Sequence, residues 1–155
     1  MAKGNKSSTP FWRFLFVVYA AILLWLLFDR SFDWVEGLSY KEQLQRNISL
    51  VPFYTIKSYW ATVCRKEYDS LFFHCVFNLG GNVGLFIPLG YFLPRLWVKM
   101  RNFFRFFATC TLSICMVELL QLFTLLGSLD IDDLILNLGG MTVGYLIFMI
   151  FKKQR

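Results

Sequence analysis

The chain has 155 residues, 57% of them hydrophobic, with 18 Phe and a formal net charge of +6. A soluble domain of this size rarely carries so much apolar sequence in long runs, so the composition is typical of a membrane protein. The basic residues gather at the ends of the apolar runs, which argues against a nucleic-acid-binding protein. The four Cys show neither a CxxC nor a metal-ligand spacing, so no disulfide framework is implied.

The apolar runs predict an all-α, polytopic membrane protein with four transmembrane helices. Residues 1–10 form a predicted cytoplasmic tail, and residues 11–28 the first span. This run lacks a small-residue cleavage site, so we interpret it as an anchor and not as a signal peptide. Residues 29–70 form a predicted extracytoplasmic loop. Within the loop, the aromatic segment Ile48–Trp60 is too short to span and is expected to be interfacial or re-entrant.

Residues 71–151 form a predicted core of three further spans, which cover residues 71–93, 103–126 and 131–151. In the second span, Gly80 and Gly84 form a GxxxG motif that predicts the close approach of another helix. Pro88 and Pro94 are expected to bend or end this span.

The distribution of positive charge predicts the orientation. Ten of the 16 Lys and Arg lie near the two termini and in the link between the second and third spans. The turn between the third and fourth spans has none. Because positive residues concentrate on the cytoplasmic side, both termini are expected inside and the acidic turn outside.

Polar side chains interrupt the last three spans at a similar depth. The helix rise places four of them roughly 8 to 12 Å below the outer ends of their spans: Asn78, Glu118, Gln121 and Asn137. Asn82 lies one turn below Asn78, and three aspartates begin the last span. We therefore predict an outward-facing polar pocket whose candidate ligand-binding residues are Asn78, Asn82, Glu118, Gln121, Asp130, Asp132, Asp133 and Asn137.

Simpler explanations exist for most of these residues. The aspartates lie at a helix N-terminus, where carboxylates cap free N–H groups. The asparagines suit hydrogen bonds between helices, and His74 is expected to be a local hydrogen-bonding residue. Glu118 is the hardest to explain in this way, because a carboxylate inside a membrane normally has a partner or a proton.

Several motifs occur in a fixed order along the chain. They are NxxxNxxxFxPxG (Asn78 to Gly90), ExxQ (Glu118, Gln121) and DxDDxxxNxxG (Asp130 to Gly140), preceded by a segment from Asn47 to Phe53 that is similar to NLxPF. Over about residues 45–150 this set resembles the VanZ-like family of bacterial integral membrane proteins. Members often carry an Arg in an RSFDxDD context, whereas this chain has Gly127 at that position and so lacks the cation of a phosphate clamp.

The resemblance implies a small multi-pass protein of the bacterial cytoplasmic membrane. The member that gave the family its name is associated with lowered susceptibility to teicoplanin, a lipid-tailed glycopeptide that binds cell-wall precursors. The resemblance attaches no reaction to the family, so it leaves open whether the protein is an enzyme.

Three functions therefore stay open. In the first, the pocket engages an amphiphile, either a lipid-linked wall precursor or the lipid tail of the drug. In the second, an intramembrane enzyme acts on a lipid head group, with Glu118 and Asp133 as catalytic candidates. A divalent cation is then a candidate cofactor, held by Asp130, Asp132 and Asp133. The third is a structural or transport role.

Overall fold

The computed structural model describes residues 9–29, 34–64 and 70–153. Within them, the helices are α1 (Thr9–Phe28), α2 (Tyr40–Arg46), α3 (Tyr54–Cys64), α4 (Ser70–Leu96), α5 (Phe103–Thr124) and α6 (Ile131–Lys153). Two short strands, β1 (Ile48–Ser49) and β2 (Leu129–Asp130), pair in parallel. Most of the predicted cytoplasmic tail lies outside the described residues, as do residues 30–33 and 65–69 of the predicted loop.

The prediction of an all-α membrane protein is confirmed. Four helices, α1, α4, α5 and α6, are long and apolar enough to cross a bilayer. Helix α4 extends beyond the predicted span at both ends and continues through Pro88 and Pro94, which therefore do not end it. Helix α5 ends at Thr124, two residues early, because Leu125 adopts the left-handed conformation (φ 56°) that closes the helix.

Helices α4 and α6 run in the same direction and form the most extensive contact of the bundle. Gly140 and Gly144 lie at this contact. A Cβ on Gly140 would overlap the carbonyl oxygen of Val83, and a Cβ on Gly144 would overlap that of Ile87. Small residues are therefore required here for the two backbones to approach.

The predicted GxxxG contact is wrong. Among residues 9–29, 34–64 and 70–153, a Cβ on Gly80 or Gly84 would meet nothing within 4 Å, so neither residue lies at a close contact with the described helices. On α4 the glycine at the α6 contact is instead Gly90, where a Cβ would overlap the backbone of Met141. The motif is therefore present in α4 but does not mediate the packing of the bundle.

Helices α1 and α5 run antiparallel to the α4–α6 pair and complete the core. The buried core residues are Leu23, Leu27, Phe86, Phe106, Cys110, Ile114, Met141 and Tyr145. The Tyr19 hydroxyl of α1 donates to the carbonyl oxygen of Leu85 at 2.5 Å. The other face of α1 exposes large apolar side chains, including Phe14 and Trp25. Apolar outer surfaces of this kind suit a lipid bilayer.

The two ends of the bundle differ in charge. At one end, the Arg95 guanidinium stacks over the Trp12 ring at 3.8 Å, and Arg101 Nε donates to the Pro94 carbonyl oxygen at 3.1 Å. The other end, where α4 and α6 begin, holds Asp29, residues 34–64 and residues 124–133. We call it the acidic end.

Helix α2 lies at the acidic end and begins with a capping box. The side chain of Ser39 accepts from the backbone N–H of Glu42, and Glu42 accepts from the backbone N–H of Ser39. The hydrogen bonds from the Ser39 hydroxyl and N–H hold the pKa of the Glu42 carboxyl below its usual range. This reciprocal pair satisfies donors that the first helical turn leaves without partners.

Candidate functional site

A cleft of about 800 Å³ opens at the acidic end of the bundle. Its walls come from α3, α4 and the segment that joins α5 to α6. The polar residues that line it are Asp29, Asn47, Thr55, Tyr59, His74, Asn78, Ser128, Asp130 and Asp133. Some of the residues that the sequence analysis assigns to a polar pocket line this cleft, but most of its lining is different.

Asp130 lies in the cleft wall and caps α6. Its Oδ1 accepts from the backbone N–H of Asp132 at 2.9 Å, and its Oδ2 accepts from the Thr55 hydroxyl at 2.8 Å. The pairing of β1 with β2 brings this turn to the loop, since the Leu129 N–H donates to the Asn47 carbonyl oxygen at 2.8 Å. Asp130 therefore joins the start of α6 to α3.

Asp132 is fully buried and holds the N-terminus of α3. Its carboxylate accepts from the backbone N–H groups of Phe53 at 2.5 Å and Ile56 at 3.0 Å. These donors lack partners within their own helix, so a carboxylate supplied by α6 serves as their cap. The same contact holds Phe53 in the left-handed region, with φ 63°. Asp132 thus positions the α3 wall without lining the cleft.

Asp133 lines the cleft and is joined to α4. The Asn82 side-chain amide donates to its Oδ1 at 2.5 Å, and both residues are buried. Asn82 does not line the cleft. Its amide forms a hydrogen bond between two of the long apolar helices, α4 and α6, which is the simpler role that we expected for the asparagines.

Glu118 and Gln121 lie behind the cleft wall. Glu118 Oε2 accepts from the backbone N–H of Asp130 at 3.5 Å. Gln121 Nε2 donates at 2.7 Å to the carbonyl oxygen of Leu27, in the last turn of α1. The last carbonyl groups of a helix have no donor within the helix, so Gln121 supplies one of the donors that α1 lacks. Neither side chain lines the cleft.

Asn78 and Asn137 each keep a buried side-chain oxygen that accepts no hydrogen bond from the residues that the structure describes. Asn78 lies in the cleft wall, whereas Asn137 does not. Buried polar groups are normally paired, so an acceptor left open beside a cleft is notable.

Of the eight predicted site residues, three therefore line the cleft: Asn78, Asp130 and Asp133. The other five hold the helices or loops around it. The sequence interpretation missed the contributions of Asp29, Thr55 and Tyr59 and placed His74 outside any site. The His74 ring packs edge-on against that of Tyr59, with ring centres 5.9 Å apart. A signal was present in the segment from Asn47 to Phe53, which belongs to the ordered motif set and leads directly into α3.

The three aspartates do not converge as a cation site. Across the part of the chain that the structure describes, no group of three or more His, Cys, Asp or Glu side chains is placed to hold a metal ion. Asp130 faces Thr55, Asp132 faces the start of α3, and Asp133 faces Asn82. The geometry of these described residues therefore gives no support to a divalent cation held by the three candidate ligands.

Comparison with known proteins gives one family. The family model described as VanZ/LLP1 matches residues 16–152, which is nearly the whole chain. The match begins within α1 and so extends beyond the motifs found from Asn47 onwards. No curated protein and no solved structure matches the chain significantly.

Proposed function

Since the chain belongs to the VanZ/LLP1 family, we propose that its cleft engages an amphiphile at the outer face of the bacterial cytoplasmic membrane. The amphiphile is a lipid-linked wall precursor or the lipid-tailed drug teicoplanin, and its capture lowers susceptibility to that drug. The observation that carries the proposal is a polar cleft at one end of a bundle whose outer surfaces are apolar.

The cleft has an apolar border that suits a lipid tail. Phe77 lines the cleft and is 74% exposed, and Phe73, one turn earlier on α4, is 50% exposed. Polar groups inside the cleft and aromatic rings on the adjoining helix face match the two parts of an amphiphile. A head group bound beside Asn78 and Asp133 leaves its tail free to lie along α4 towards the hydrocarbon.

The orientation rests on the charges at the two ends. Arg95, Lys99, Arg101 and Arg105 lie at the end opposite the cleft, together with the beginning of α1 and the end of α6. Positive residues favour the cytoplasmic side, so the cleft opens outwards, where wall precursors and glycopeptides meet the membrane.

Binding is better supported than catalysis on a lipid head group. Glu118, the proposed general acid or base, is 4% exposed and does not line the cleft. A general base must reach the proton that it removes directly or through one water molecule. Of the two catalytic candidates, only Asp133 borders the space that a ligand can enter.

Drug susceptibility tests the proposal. A strain that carries the protein is compared with strains that carry Asn78→Ala or Asp133→Asn, at equal protein level in the membrane. The expected result is that both variants return teicoplanin susceptibility towards that of a strain without the protein. Glu36→Gln is the matched control, because Glu36 is exposed and lies outside the cleft wall. If both cleft variants protect against teicoplanin as well as the native protein does, the cleft is not responsible for the lowered susceptibility.

A further inference from the structure

Residues 50–54, with the sequence LVPFY, join β1 to α3, and we call them the tip segment. They include the end of the motif from Asn47 to Phe53, for which the proposed function has no role. All of their side chains are exposed, and the exposed fractions reach 64% for Val51 and 67% for Tyr54. A contiguous apolar patch of this kind is rare on a surface that faces water and marks a site of interaction.

The fold holds the tip segment in a strained conformation. Phe53 has a φ of 63°, in a region that bulky residues rarely adopt. Its N–H donates to the carboxylate of Asp132, which is fully buried, while its own side chain is 49% exposed. Such strain persists only where the surrounding structure imposes it, and it is commonest at functional sites. The buried carboxylate therefore fixes an aromatic ring on the surface.

The tip segment lies at the same level as the beginning of a membrane span. Asp132, which accepts from Phe53 and Ile56, is in the first turn of α6, and the apolar span of this helix begins at Ile131. The pairing of Ser49 with Asp130 places β1 at the same level. The apolar outer surface of the bundle therefore extends to the depth of the tip segment.

The backbone of the tip segment suits surroundings that are poor in water. Irregular backbone is excluded from lipid unless the protein pairs its polar groups. Pro52 has no N–H group, and the N–H of Phe53 is taken by Asp132. The N–H of Tyr54 donates to the carbonyl oxygen of Val51 at 3.3 Å. Residues 52–54 therefore need no water to satisfy a backbone donor.

Helix α3 continues the exposed surface. Tyr54, Lys57 and Trp60 are exposed on one side of the helix. Ile56 and Tyr59, on the other side, are half-buried. Tyr and Trp favour the boundary between membrane and water, and a Lys can extend its ammonium group to the lipid head groups. The exposed side of α3 therefore has the composition of a helix at a lipid surface.

From these observations we infer that the tip segment inserts into the lipid leaflet at the acidic end of the bundle. Leu50, Val51 and Phe53 enter the boundary between head groups and acyl chains, and Trp60 lies among the head groups. Thr55, which follows the segment directly, lines the cleft. Insertion therefore holds the α3 wall of the cleft at the lipid surface. This contact needs no ligand in the cleft, so it goes beyond the proposed function.

Site-directed fluorescence tests the insertion. Val51→Cys or Tyr54→Cys, in a Cys64→Ser background, is labelled with the dye NBD, and the full chain is placed in lipid discs. One set of discs contains a phospholipid with a quencher near the head of its acyl chain, and a second set receives iodide in the water. Gln45→Cys is the matched control, because Gln45 is exposed on the side of α2 opposite the buried Gln43. Labelled Cys64→Ser protein without a new cysteine gives the background.

The lipid quencher is expected to remove about half of the emission from the labels at Val51→Cys and Tyr54→Cys, because an interfacial apolar face lies at the depth of that quencher. Iodide should leave these labels nearly unchanged, and the label at Gln45→Cys should respond in the opposite way. Quenching of the tip labels by iodide and not by the lipid would overturn the inference, because the segment would then lie in water. Protection from both quenchers would also overturn it, because a protein surface, such as a second copy of the chain, would then cover the segment.

Discussion

Asn82 and Asp133 form the buried polar contact that joins α4 to α6 beside the cleft. The contact has one donor amide and one carboxylate, so truncation of the amide removes a hydrogen bond to a charged group. In a buried position, water does not replace the lost donor, so the carboxylate is left less stabilised. The stability of the fold and the shape of the cleft therefore depend on the same pair.

Asn82→Ala is expected to lower the free energy of unfolding by about 1–3 kcal/mol, because Asp133 loses a buried donor. Thermal unfolding in a mild detergent, followed by circular dichroism, measures the change. Gln45→Ala serves as the control, since Gln45 is an exposed amide on α2. A midpoint for Asn82→Ala equal to that of the control would show that the contact contributes nothing.

The sequence predicts which polar residues gather at this end but not the role of each. The sequence predicts that Asp130 caps a helix, because the residue directly precedes one. The sequence does not predict the role of Asp132, because its partners Phe53 and Ile56 lie 79 and 76 residues earlier. Only the fold reveals that a carboxylate at the start of α6 caps a different helix.

Among the helices, the α4–α6 pair depends on glycines that lie at its contact. The four predicted spans agree with α1, α4, α5 and α6 within a few residues, because the bilayer fixes the length of an apolar helix. The GxxxG spacing alone does not show which glycines meet a neighbouring helix, since it occurs both at the contact, in Gly140 and Gly144, and away from it, in Gly80 and Gly84. The short strands β1 and β2 were also not predicted, because their pairing joins segments about 80 residues apart in the sequence.

Gly140→Ala and Gly144→Ala are expected to destabilise the protein by about 1–3 kcal/mol or more, because each new Cβ would overlap an α4 carbonyl oxygen. Gly80→Ala and Gly139→Ala are matched controls in the same two helices, where a Cβ meets nothing within 4 Å. The controls should be neutral or slightly stabilising, since alanine favours helix more than glycine does. Thermal unfolding midpoints of the four variants check this contrast. Equal effects in both pairs would contradict the assigned contact.

For the whole molecule, the contrast between the acidic end and the opposite end, which holds Arg95 and Arg101, predicts a single orientation in the membrane. Cys64 is exposed at the end of α3, on the side of the cleft. A membrane-impermeant maleimide should therefore label Cys64 in intact cells, with the outer membrane made permeable where there is one. Lys99→Cys, in a Cys64→Ser background, should react only after the cytoplasmic membrane is opened. Labelling of Lys99→Cys in intact cells would reverse the orientation.

The most direct measurement is a structure of the full chain in a lipidic phase with teicoplanin at saturating concentration. Density for an amphiphile is expected in the cleft, with its head group beside Asn78 and Asp133 and its tail along Phe77. A cleft that holds only ordered water, with the drug bound elsewhere or absent, would contradict it.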